Sequence, residues 1–249
     1  MARKKLIEVA LPLEAINREA SREKSIRHGH PSTLHLWWSR KPLGVARAVL
    51  FASLVDDPGE HLPPEAARRE RERLFSLLER LVNWDHVKNP QEALDPKKGV
   101  VAEAQYEIAK SLAQSLGKTP PASANDRKAI AALLEEAPPV LDPFAGGGTI
   151  PLEAQRLGLK AYASDLNPVA VLINKALVEI PPRFQGLLPV NPEYRARARE
   201  GEALPGAKGL AWDVRHYGAW VREEARKRIG HLDPDLSWGT RHRRLLGLL

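Results

Sequence analysis

At 249 residues and 43% hydrophobic content, the chain is long enough for one large domain or two small ones with a buried core. It contains no cysteine, which excludes disulfides, cysteine nucleophiles and a cysteine-ligated zinc. No apolar run reaches the length of a membrane span and the amino terminus lacks a signal-peptide pattern, so a cytoplasmic protein without membrane partners is expected. The net charge of +7 favours a polyanionic partner such as DNA or RNA.

In chain order, residues 6–22 read as a helix or an extended lead-in. The next segment runs Arg27-His28-Gly29-His30-Pro31-Ser32-Thr33-Leu34-His35-Leu36-Trp37-Trp38-Ser39-Arg40-Lys41-Pro42-Leu43, with two tryptophans side by side next to a basic pair. Trp37 and Trp38 could anchor this segment on the core, or stack on a base with Arg40 and Lys41 beside them. His28, His30 and His35 have no fourth ligand and no cysteine partner, so no metal site is expected. Residues 44–55 form an apolar helical pattern that ends in the turn Asp56-Asp57-Pro58-Gly59. Helical patterns follow over about 64–84, 101–116 and 125–136. In the first, Arg68, Arg69, Arg71 and Arg73 alternate with Glu70 and Glu72 as a solvated, ion-paired face. This block is expected to pack around a sheet, in preference to serving as a lid or recognition insertion.

Pro139-Val140-Leu141 then suits a short buried parallel strand. Asp142-Pro143-Phe144-Ala145-Gly146-Gly147-Gly148-Thr149 follows, where glycines allow a tight turn and close approach of a ligand. Thr149 is placed to cap a helix with Pro151 in its first turn and Gly158 as its stop. Residues 161–165 read as a second strand ending in Asp165, with Asn167 capping a helix that begins at Pro168. An acidic residue about 20 positions beyond a glycine turn is placed to accept hydrogen bonds from ribose hydroxyls. The turn lacks the G-x-G-x-x-G spacing of dinucleotide sites. Asp142 would repel a pyrophosphate but attract the ammonium and sulfonium of S-adenosylmethionine, which is the expected cofactor.

Asp142-Pro143-Phe144-Ala145-Gly146-Gly147-Gly148 resembles the first cofactor motif of amino-group DNA methyltransferases, and Ser164-Asp165-Leu166-Asn167-Pro168 resembles their second. The resemblance implies that Gly146 and Gly148 wrap the methionine part and that Asp165 binds ribose. With Glu14, Asn17, Ser21 and Glu23, the Trp-Trp-Ser-Arg-Lys-Pro segment resembles the start of a bacterial family of adenine-specific DNA methylases containing a zinc ribbon, and the likeness runs from about Leu6 to His231. By that likeness, Ser39, Lys41 and Pro42 lie near the cofactor. They join Asp142, Pro143, Phe144, Ala145, Gly146, Gly148, Thr149, Asp165, Leu166 and Asn167 as candidate cofactor-binding residues.

The resemblance implies an α/β, Rossmann-like methyltransferase fold with a helical amino-terminal block, apparently incomplete because only two strands are convincing. The expected organisation is 1–137 for the Trp-Trp segment and helical block, 138–231 for the cofactor-binding half, and 232–249 for a tail ending Trp238-Gly239-Thr240-Arg241-His242-Arg243-Arg244-Leu245 that departs from the family. The Asp/Asn/Ser-Pro-Pro-aromatic motif that aligns the target amino group is absent, so no catalytic residue is assigned. Asn191-Pro192-Glu193-Tyr194 is the nearest string. Family members are longer, and the chain is expected to be an amino-terminal portion, left by a split gene or a frameshift or made deliberately; a second polypeptide carrying the catalytic half is one open alternative. The expected function is an S-adenosylmethionine-dependent DNA amino methyltransferase, adenine N6 in particular, of the kind used in restriction–modification or phage defence. Two alternatives stand beside it. One is an RNA guanine-N2 methyltransferase, whose turn is also Asp-Pro-x-x-Gly-x-Gly-Thr. The other is a non-catalytic nucleic-acid-binding subunit or inert remnant. Residues 210–228 read as a last amphipathic helix whose Trp212, Tyr217 and Trp220 are expected in the core. A two-stranded sheet would leave one apolar face bare, predicting marginal solubility, a dimer, or dependence on a partner.

Overall fold

The computed structural model describes residues 3–196 and 204–232, and the expected tail over 233–249 lies outside them. The chain divides into two compact units, Met1–Asn174 and Lys175–Leu249. In the first, a helical turn at Leu6–Val9 precedes α1 (Leu13–Glu23), α2 (Leu43–Leu54), α3 (Pro64–Val82), α4 (Val100–Ser115) and α5 (Arg127–Glu135). Then come β1 (Val140–Asp142), α6 (Thr149–Arg156), β2 (Ala161–Ala163) and α7 (Pro168–Asn174). The second unit holds a π-helical segment at Lys175–Glu179, short turns at Ile180–Arg183 and Pro192–Arg195, and α8 (Lys208–Ile229).

Local chemistry sets these boundaries. Glu23 carboxylate oxygens accept the N–H groups of Leu43 and Gly44 at 2.6 and 3.0 Å, supplying from another helix the cap that Pro42 cannot provide to α2. Asp126 Oδ1 caps α5 through Ala129 N–H at 3.2 Å. Gly158, at φ +79°, lets the chain leave α6 in the left-handed region.

The core is helical. Leu74, Leu77, Leu78 and Leu81 of α3 are buried against Phe51 and Ala52 of α2 and Val101, Ile108 and Ala109 of α4. Each buried leucine contributes roughly 1.5–3 kcal/mol, so these helices, and not a sheet, dominate the stability.

This corrects the expected Rossmann-like α/β fold. Among the described residues only β1 and β2 pair, in parallel, over three residues each: Val140 with Ala161, Leu141 with Tyr162, Asp142 with Ala163. No further strand joins this ladder among the described residues, because the apolar positions of residues 43–135 recur at helical spacing and residues 168–183 continue as helix. Leu141 and Tyr162 are 69% and 61% exposed, so the ladder carries little of the core. Two smaller expectations also change. Thr149 is the first residue of α6 and Gly148 is its cap, because the Thr149 hydroxyl donates to the Lys41 carbonyl at 3.0 Å. Trp212, Tyr217 and Trp220 lie on α8 but are 49%, 45% and 59% exposed, not core.

Candidate cofactor site

The glycine turn closes over the carboxyl ends of both strands. Ser164 N–H donates to the Asp142 carbonyl and Ala145 N–H to the Ser164 carbonyl, each at 3.0 Å, which sews the two strand ends together. Gly146 and Gly148 have φ of +49° and +76°, a region that costs an L-residue with a Cβ about 1–2 kcal/mol. Asp165 Oδ2 accepts the Gly146 N–H at 2.8 Å and Oδ1 accepts that of Asn167 at 2.9 Å. These backbone hydrogen bonds, from Asn167 first and then Gly146, hold the Asp165 carboxyl below the usual carboxylate range. Asp165 is therefore a brace for the turn, and ribose binding would use its remaining lone pairs. Asn167 also caps α7 through Val169 N–H at 2.9 Å, as expected.

Two other parts of the chain pack on the turn. Asn174, at the end of α7, donates Nδ2 to the carbonyls of Gly146 and Ala170 at 3.1 and 2.8 Å. The Trp-Trp segment comes from the other direction. Arg40 Nη1 donates to the Gly147 carbonyl at 2.7 Å and Nη2 to that of His35 at 3.1 Å. The Trp37 indole nitrogen would lie 2.6 Å from a Cβ at Gly146, and the Arg40 guanidinium carbon 2.8 Å from one at Gly147. The glycines are thus needed as much for this chain's own side chains as for a ligand.

Of the expected residues, Asp142, Ala145 and Thr149 are buried, while Phe144 and Leu166 are 81% and 97% exposed. Pro143 and Asn167 lie on the exposed rim with them. Lys41 meets the turn through its backbone carbonyl on Thr149, Pro42 is the half-buried cap residue of α2, and Ser39 is exposed. Sequence reasoning did not assign Arg40, Trp37, Glu23 or Asn174. Arg40 and Trp37 lie inside the quoted motif. Asn174 falls two helical turns after Asn167, on the same face of α7.

Three features of the surroundings suit a cationic ligand that also carries N–H donors and apolar surface. Asp142 and Asp165 make no ion pair among the described residues, leaving two carboxylates at the strand ends for a cationic ligand. Asn174 Oδ1 is buried without a donor and would lie 2.9 Å from a Cβ at Gly148, so a ligand N–H has an acceptor there. Phe144 and Leu166 offer exposed apolar surface on the two loops that Asp165 joins.

Residues 10–77 match the family described as "Protein of unknown function (DUF1156)". That match takes in α1, the Trp-Trp segment and most of α3, and stops before the glycine turn. It covers the Trp-Trp-Ser-Arg-Lys-Pro segment on which the expected resemblance partly rests, and its description assigns no activity. No curated protein and no solved structure matches the chain.

Beneath the turn, Arg47 of α2 and Glu153 of α6 form a fully buried ion pair, Nε to Oε2 at 2.5 Å. Arg47 also donates to the Leu81 carbonyl, and Arg156 Nε reaches Glu153 Oε2 at 3.1 Å. This cluster locks the helix that follows the glycine turn onto the DUF1156-matching helices. In the second unit, Asn191 of the Asn-Pro-Glu-Tyr string is buried. Its Oδ1 accepts the Tyr194 N–H at 2.8 Å and its Nδ2 donates to Asp213 at 2.8 Å. Its amide is consumed as a helix cap. Among the described residues no group of three His, Asp or Glu is placed to hold a metal, and no helix is long and apolar enough to cross a membrane.

Proposed function

We propose that this chain holds S-adenosylmethionine for methyl transfer to an amino nitrogen of DNA, adenine N6 being the target that the sequence resemblance implies. One observation carries the reading: a glycine turn with two left-handed glycines, tied by Asp165 to the end of β2, with Asp142 as a second carboxylate at the end of β1. When bound, S-adenosylmethionine supplies an electrophilic methyl group on a cationic sulfur. Asp142 would draw in its positive charge, Asp165 would accept from its ribose hydroxyls, Asn174 Oδ1 would accept an N–H, and Phe144 and Leu166 would cover apolar surface. Trp37 and Arg40 hold the turn closed.

Methyl transfer also needs a group that aligns the acceptor nitrogen with the methyl carbon. The 249-residue sequence has no Asp/Asn/Ser-Pro-Pro-aromatic string. The reading therefore assigns cofactor and nucleic-acid contacts to these residues, and acceptor alignment to a group outside them. Resemblance of the Trp-Trp segment and the glycine turn to adenine-specific methylases containing a zinc ribbon supports the cofactor part of that reading. A second reading, a nucleic-acid-binding chain without transferase chemistry, is favoured by the locked amide of Asn191.

Calorimetric titration of the chain with S-adenosylmethionine separates the two. The proposal predicts one-site binding, weakened about tenfold or more in Asp165→Asn, because one charge-assisted acceptor is lost. A folded chain that gives no heat with the cofactor but binds DNA would favour the second reading.

A further inference from the structure

The DUF1156-matching region contains a cleft walled in part by the Trp37–Lys41 stretch that packs on the glycine turn. It lies between the end of α1 and the Trp-Trp segment, and its walls include Lys24, Arg27, Ser32, Trp37, Arg40 and Lys41. None of these four cations forms an ion pair among the described residues. Glu23 is the one carboxylate in the walls. It is already bound by the N–H groups of Leu43 and Gly44 and stands 3.3 Å from His30 Nε2. Arg40 spends its two terminal nitrogens on carbonyls, which neutralise no charge, and its Nε is buried without an acceptor.

Four cations without an ion pair, facing a single carboxylate around one concave surface, attract an anion. Next to them, Trp38 is 99% exposed and Leu36 89% exposed, so a tryptophan ring stands free beside the basic cleft. A cationic groove flanked by an unpacked aromatic suits a polyanion made of phosphates and flat bases. A carboxylate ligand would satisfy the cations but leave Trp38 unexplained.

We infer that this cleft seats a phosphodiester of nucleic acid, with an adjacent unpaired base stacked on Trp38. The DUF1156-matching region would then be a nucleic-acid contact placed directly against the glycine turn through Arg40. The inference rests on the nucleic-acid part of the proposed function and not on its cofactor.

The test is a fluorescence-anisotropy titration of labelled single-stranded and duplex DNA with the full chain at several salt concentrations. Lys24→Gln/Arg27→Gln should weaken binding about tenfold or more and lower the log–log salt slope by about 1–2. Trp38→Ala, which removes no internal contact, should cost about tenfold on single strands and less on duplex. Arg226→Gln, on the exposed face of α8, serves as a charge control and should change little. Unchanged thermal unfolding midpoints keep the comparison valid. Equal small effects from all three variants would mean diffuse charge and overturn the inference. Loss of S-adenosylmethionine binding with DNA binding intact would assign the cleft to the cofactor's carboxylate and also overturn it. If the wild-type chain binds no DNA, the nucleic-acid reading itself fails.

Discussion

Glu23 shows how much of the site depends on single side chains outside the motifs. Burial alone would raise its pKa, but the His30 ring 3.3 Å away and hydrogen bonds from the Gly44 and Leu43 N–H groups hold it below the ordinary value of 4.5. His30 and Arg40 are the other titratable groups that face it. A carboxyl with a depressed folded pKa contributes stability above the unfolded pKa and loses it as pH falls through the folded one. Glu23→Gln should therefore cost about 1–2 kcal/mol at neutral pH, and the gap to wild type should close as pH falls below 4.5. Urea unfolding at pH 7 and pH 3.5 checks both statements, and a gap that persists at low pH would refute the assignment. Gly148 is the second test at this scale. An alanine there meets both a left-handed φ of +76° and Asn174 Oδ1 at 2.9 Å. Gly148→Ala should lose about 1–2 kcal/mol and most cofactor binding. Gly117→Ala, with φ +64° and open space around it, should lose stability alone.

At the scale of elements, the join between α2 and α6 decides whether the turn is held in place. Removing Glu153 strands the buried Arg47 charge, which costs about 3–5 kcal/mol, whereas removing Arg47 leaves Glu153 its contact with Arg156 at 3.1 Å. Glu153→Gln should destabilise by about that much and Arg47→Met by less, and Arg47→Met/Glu153→Leu should recover only part of the Glu153→Gln loss because Arg156 then loses its carboxylate. Additive losses in denaturant titrations would show that the pair is not one unit. The sequence carried a sign of this pair: Arg47 is a lone cation in the apolar run Gly44-Val45-Ala46-Arg47-Ala48-Val49-Leu50, a position that needs a buried partner. The helices were legible from their periodicity, and Asn167-Pro168 and Gly158 marked real boundaries. The contact of Arg40 and Trp37 with the glycines was not legible, because it joins residues 107 positions apart and no local pattern reports such a pairing.

At the scale of the whole molecule, the cofactor-type motifs suggested a sheet protein, yet the core is built from helices. A glycine turn followed by an acidic strand end specifies only its immediate surroundings. Which elements supply the core depends on apolar spacing elsewhere, and that spacing is helical over residues 43–135. The small ladder leaves Leu141 and Tyr162 paired across an exposed face, with the outer edges of both strands unpaired among the described residues. Exposed strand edges and apolar surface favour association. Sedimentation should therefore show concentration-dependent self-association that Leu141→Ser reduces without lowering the thermal midpoint. A monomer at all concentrations would mean that the face is tolerated bare.

The central claim, that the turn closed by Trp37 and Arg40 is a cofactor site, is tested most directly by hydrogen exchange with and without S-adenosylmethionine. The account predicts added protection over residues 142–149 and 165–167, extending to 37–41. Protection confined to other residues, or none in a folded chain at saturating cofactor, would contradict it.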